Sequence, residues 1–162
     1  MSAAARSKCP IIHVDADADD RFFFQRAATR TDTPFHIQPF CSGEPAIAYL
    51  KQEAPFEAIA VHPSPVFILC DYNPNFAKAH DFVAAIRALG PFANVPIIMF
   101  SGWEGAASVA EGYEAGADHF LRKPHASERL DIIVQTLYAC AMSTPRSFDA
   151  LARLDEHQPR LL

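Results

Sequence analysis

The sequence predicts an α/β protein: a doubly wound sheet of five parallel strands in the order 2-1-3-4-5, with helices on both faces. Three observations predict it. The run Val66-Phe67-Ile68-Leu69-Cys70 is apolar without alternation and is followed by the turn formers Tyr72-Asn73-Pro74-Asn75, the pattern of a strand buried on both faces. Strand-like and helix-like segments then alternate five times along the chain, and such alternation gives a parallel sheet with right-handed crossovers. Finally, Asp15, Asp71, Ser101 and Lys123 each follow a strand, on the edge where open parallel sheets place their ligand sites.

The first strand is Ile11-Ile12-His13-Val14, stopped by the acidic turn Asp15-Ala16-Asp17-Ala18-Asp19-Asp20. A helix over 21–29 follows, and acids in its first turn suit the helix dipole. Phe35–Phe40 reads as a second strand, weakened by Pro39, and Ala46–Glu53 as a helix opened by Ser42-Gly43-Glu44-Pro45. Pro55, Pro63 and Pro65 punctuate Ala58-Ile59-Ala60-Val61, so 54–65 reads as a long connection carrying an extra short strand. After the central strand, Phe82, Val83, Ile86 and Leu89 recur at helical spacing, and Gly90-Pro91 ends that helix. Pro96-Ile97-Ile98-Met99-Phe100 is the fourth strand, stopping at Ser101-Gly102. Ala106–Ala115 is a helix with Gly116 as its stop, and His119-Phe120-Leu121 a strand ended by Lys123-Pro124. The last helix starts near Ser127, whose residue type suits a cap, and presents Leu130, Ile133, Val134 and Leu137 on one face. Residues 1–142 make one domain and 143–162 a tail, in which Phe148, Leu151 and Leu154 form a docking helix or else stay disordered.

With 162 residues, half of them hydrophobic and a fifth charged, the chain suits one domain with a substantial core. A net charge of −5 and the lack of a Lys/Arg run argue against nucleic acid as the direct partner. Met1–Lys8 has no apolar run of signal-peptide length, and no later run suits a membrane span, so the expected place is the cytoplasm. Cys9, Cys41, Cys70 and Cys140 have no paired spacing, so neither a disulfide framework nor a zinc ribbon is suggested; the seven histidines form no metal-type pair.

In the expected strand order the first and third strands flank the switch point, which brings Asp15 and Asp71 together with Ser101 and Lys123 beside them. Asp15, Asp71 and the main-chain carbonyl of Asn73 offer the oxygen ligands that Mg2+ prefers. Ser101 and Lys123 would bind phosphoryl oxygens, and Asp71, as a carboxylate nucleophile, would form an acyl phosphate. Taken singly, each has an ordinary reading as cap, turn former or surface residue. Jointly, in this chain order on one sheet edge, they outweigh it.

The chain resembles the receiver domain of two-component response regulators over about 11–141. The resemblance is carried by Val14-Asp15 with Asp19-Asp20-Arg21, by Phe67-Ile68-Leu69-Cys70-Asp71-Tyr72-Asn73-Pro74, by Pro96-Ile97-Ile98-Met99-Phe100-Ser101-Gly102, and by Gly116-Ala117-Asp118-His119-Phe120-Leu121-Arg122-Lys123-Pro124. It implies that Asp71 accepts a phosphoryl group from a kinase histidine, that Ser101 follows the phosphate, and that the rotamer of Phe120 reports it. There are two departures. Receivers usually carry two adjacent acids after the first strand, whereas the second here is Ala16, which weakens the expected Mg2+ site unless Asp17 reaches in. The turn Asn73-Pro74-Asn75-Phe76 is also one residue shorter than the family's usual form.

The expected function is that of a single-domain response regulator, phosphorylated on Asp71 with Mg2+ by a histidine kinase or phosphotransfer protein. It would catalyse its own phosphorylation and dephosphorylation rather than act as an enzyme in the usual sense. About twenty residues after the last helix leave no room for a helix-turn-helix module. The signal would therefore pass to a downstream protein through the fourth helix, fifth strand and fifth helix, or through the tail; a homodimer is compatible with this. One alternative is a receiver-like adaptor that works without phosphorylation because of Ala16, and Trp103 beside Ser101-Gly102 offers a probe of cation binding. Another is a haloacid-dehalogenase-type phosphatase using Asp15 in Asp15-Ala16-Asp17, although no acidic pair follows Lys123 and Asp71 is left without a task. A calcium loop fails, because Asp20 stands where the turn glycine belongs and Arg26 where the bidentate acid belongs.

Overall fold

The computed structural model describes residues 9–57, 64–72, 78–102 and 105–156. Five strands form one sheet: β1 (Cys9–Val14), β2 (Phe35–Phe40), β3 (Phe67–Cys70), β4 (Ile97–Ser101) and β5 (His119–Arg122). Their order is β2-β1-β3-β4-β5 and every pairing is parallel, as the alternation of elements predicts. Between and after them lie α1 (Ala18–Arg30), α2 (Gly43–Lys51), α3 (Lys78–Ala88), α4 (Ala106–Ala115), α5 (Ser127–Met142) and α6 (Ala152–Glu156). The expected extra strand at Ala58–Val61 lies outside the described residues.

All four residues of β3 are buried, which is why its sequence does not alternate. The two-residue period of a strand divides them between two cores. Phe67 and Leu69 pack with Ile98, Phe100 and Leu121 against Phe24 of α1 and Ile133, Val134 and Leu137 of α5. Ile68 and Cys70 pack with Ile12, Val14, Ile97 and Met99 against Tyr49 and Leu50 of α2 and Phe82, Val83 and Ile86 of α3. Pro39 is accommodated because β2 is an edge strand with β1 as its one neighbour.

Some helix ends follow local chemistry, and two exceptions bear on the sequence reading. Asp17 caps α1, its carboxylate accepting from Asp19 N at 2.8 Å, and Gly116 closes α4 at φ 111°. A Cβ at Gly116 would stand 3.1 Å from Cγ of Arg87, whose guanidinium donates to Gly116 O, Ala93 O and Val95 O. The first exception is at α5. Ser127 is its first helical residue, and the capping position belongs to Ala126, which has no side-chain oxygen to offer. The second is at α3, which ends at Ala88; Gly90-Pro91 instead opens a separate 3-10 turn, Gly90–Phe92.

The segment after α5 folds back. A 3-10 turn (Asp149–Leu151) runs into α6, and Phe148 and Leu151 are buried in the core on the α1/α5 side. The Phe148 ring meets Phe67 edge-on at 5.6 Å, and Arg129 of α5 donates to Leu154 O.

Candidate functional site

The register of β1 and β3 builds the site. Val14 pairs with Cys70, so the chain leaves both strands at one level and sets Asp15 and Asp71 side by side just past their ends. By the two-residue alternation each continues the row facing α1 and α5, as does Lys123 after Leu121 on β5. The three side chains converge. Lys123 Nζ lies 2.7 Å from Asp15 Oδ2 and 3.3 Å from Asp71 Oδ1. Ser101, the last residue of β4, is buried, and its hydroxyl donates to the main-chain oxygen of Tyr72 at 2.5 Å, directly after Asp71.

The two carboxylates differ in access and in charge. Asp15 has a side chain with 0 % exposure, its Oδ1 accepting from Asp17 N at 2.9 Å and its main-chain oxygen from Arg21. Burial pushes its carboxyl up, but the neighbouring His13 ring, the Lys123 ammonium and the Asp17 N–H together hold it below the ordinary aspartate value. Asp71 keeps 17 % side-chain exposure, and burial, only partly offset by Lys123 and reinforced by the charge of Asp15, pushes its carboxyl up to about 6. Burial disfavours the charge on Lys123, yet Asp15 and Asp20 more than offset that and hold the ammonium protonated well above the usual lysine range.

Sequence reasoning missed two members of this cluster. Asp20 Oδ2 stands 2.7 Å from Lys123 Nζ, because the loop from β1 is so short that the first turn of α1 overhangs the strand ends. The signal was an acid in the first turn after the acid-terminated strand. His13 is buried beneath Asp15, with Nε2 3.8 Å from Oδ2 and its ring 5.0 Å from that of Phe24. The signal there was a polar residue two positions before Asp15, hence on the same face of a buried strand.

Asp17, which the sequence allows either as a substitute for the acid missing at Ala16 or facing solvent, is committed to capping α1 and exposed. Asn73 and Trp103 lie outside the described residues. Phe120 is half-buried and packs against the core on the α2/α3 side.

The donor set suits a small hard cation. Carboxylates of Asp15, Asp20 and Asp71 face one ammonium, with the Arg21 guanidinium on the main-chain oxygen of Asp15, so acids outnumber cations at the site. Among the described residues no three potential ligands are already gathered round one point; the ammonium holds the middle of the cluster.

An all-parallel 2-1-3-4-5 sheet with two acids at its switch point and a lysine after its fifth strand is the receiver fold of response regulators. No family model matches the chain. It is 26% identical over 121 residues to the alkaline phosphatase synthesis transcriptional regulatory protein SphR of Synechococcus elongatus, covering 75% of this chain and 46% of that one. The phosphorylated cyanobacterial phytochrome response regulator RcpA superposes with a TM-score of 0.73 at 21% identity, covering 85% of this chain and 96% of that one. The Mn2+-bound form of response regulator Rcp1 superposes at 0.69 and 21% identity, covering 84% and 96%. The chain spans about half the length of the curated relatives it matches. The curated relatives are response regulators, and the chain shares the receiver fold with the solved structures it resembles.

Proposed function

We propose that this chain is a receiver that takes a phosphoryl group on Asp71 from the phosphohistidine of a kinase or phosphotransfer protein, and passes the signal on by protein contact in the cytoplasm. One observation carries the reading: of the two adjacent carboxylates, Asp15 is closed off while Asp71 stays partly open, 3.3 Å from a half-buried ammonium. A nucleophile needs access and a neighbouring charge that prefers the more anionic product.

A carboxylate oxygen of Asp71 attacks phosphorus opposite the donor nitrogen. The P–N bond breaks as the P–O bond forms, and the leaving imidazole takes up a proton from solvent. Lys123 holds a phosphoryl oxygen, and Ser101 turns its hydroxyl from the Tyr72 carbonyl towards another. A bound divalent cation, Mg2+ in our reading, supplies charge neutralisation at the phosphoryl oxygens. Asp15, Asp71 and the carbonyl of Asn73 are the residues that would hold it. The buried position of Asp15 also weighs against a phosphatase with Asp15 as nucleophile.

The test is incubation with Mg2+ and a small phosphodonor, followed by mass spectrometry. Label on Asp71 that vanishes in Asp71→Asn supports the reading, and label on Asp15 sinks it. Ala16 motivates the second reading, an adaptor that works unphosphorylated; no label, with partner binding intact in Asp71→Asn, would favour that.

A further inference from the structure

Ala16 leaves Asp15 as the acid that the end of β1 contributes to the site, and a different element offers another. Asp20 reaches in from the first turn of α1, on the ammonium that also meets Asp15 and Asp71. Asp17 is not available, since its carboxylate closes the helix end. Asp20 makes no such cap, and its side chain keeps 36 % exposure and so has room to reorient. The partial positive charge at the α1 N-terminus would repel a cation here, and an acid in that turn offsets it.

A second observation points the same way. His13 is 1 % exposed and aimed at the inner side of the cluster, yet neither ring nitrogen has a hydrogen-bond partner among the described residues. Buried polar groups are ordinarily satisfied. An unsatisfied one 3.8 Å from Asp15 points to a polar partner that a ligand would supply.

We propose that Asp20 supplies the third carboxylate of the divalent-cation site, standing in for the acid that Ala16 does not provide. The inference rests on the cation-dependent receiver reading above. Asp20 restores the charge that favours a divalent ion, and it holds Lys123 beside Asp71 until the ion draws the acids together.

The experiment titrates Mg2+ and Mn2+ into the full chain by calorimetry, with no phosphodonor. Asp20→Asn should weaken binding about tenfold, the lower end of what a supporting carboxylate contributes. Adding Ala16→Asp to Asp20→Asn should bring affinity back to within about threefold of wild type, a rescue that a merely structural role would not give. Asp19→Asn, in the same turn, should change affinity less than about twofold. Unchanged binding in Asp20→Asn, an equal loss in Asp19→Asn or no rescue would each overturn the inference while leaving the cation-dependent reading intact. Failure of the wild type to bind at millimolar Mg2+ would overturn both. Should Asp20→Asn not fold, Ala16→Asp alone decides: a gain under about threefold fits a role already filled, and a gain of about tenfold refutes it.

Discussion

Asp71 is held in a place that suits its neutral form. Its folded carboxyl, at about 6, stands above the ordinary 3.8, so between those values the folded chain binds more protons than the unfolded one. The stability this gives is full below about pH 4 and is lost as pH rises through 6. Two consequences follow at this scale. In chelator at pH 7, Asp71→Asn should stabilise the protein by about 2 kcal/mol in denaturant unfolding, and by much less at pH 4.5. On the proposed reading, phosphorylation of Asp71, which needs the carboxylate, should fall off below about pH 6 when cation is subsaturating. Lys123 works in the opposite sense, since it is the counter-charge of the fully buried Asp15. Lys123→Met should cost about 3 kcal/mol in the same measurement, the scale of breaking a buried pair from one side. Asp15, Asp71, Ser101 and Lys123 were legible because each directly ends a strand. Asp20 and His13 were not, because one enters from a helix and the other hides inside an apolar run.

At the scale of the element, helix ends show where sequence patterns mislead. Ser127 has the residue type of a cap, but the chain turns helical one residue earlier than that reading needs, so Ala126 sits in extended geometry with nothing to offer the first N–H groups. Ala126→Ser should therefore stabilise the fold by about 0.5–1 kcal/mol in thermal or denaturant unfolding. Asp17→Ala should cost about 1 kcal/mol, since its 2.8 Å bond from Asp19 N is lost. The strands were far easier to read. Phe35–Phe40 has the expected bounds, and Ile97–Ser101, a run buried on both faces, differs by one residue at each end.

For the whole molecule, the sheet divides one chain into two cores, and the segment after α5 completes one of them. Phe148, buried against Phe67 and beside His119, should cost about 3–4 kcal/mol when changed to Ala, whereas exposed Phe22 and Phe23 on α1 should cost little. The sequence left that segment as helix or disorder, since three apolar residues announce amphipathicity but not what they meet. The strand order was readable from alternation and the position of the acids, and register then did the rest: Val14 against Cys70 is what brings two like charges together. Nothing in the local pattern reveals that a single amine would be shared among acids from three elements.

Ser101 has one proton to give and gives it, at rest, to the carbonyl of Tyr72, whose phenol is in turn tied to Glu111 of α4 at 3.0 Å. The hydroxyl cannot hold that acceptor and a new one at once. Whatever draws it towards Asp71 slackens a tether running from the rim of the sheet to a helix on its far side, so news of an event at one carboxylate has a ready-made path outward.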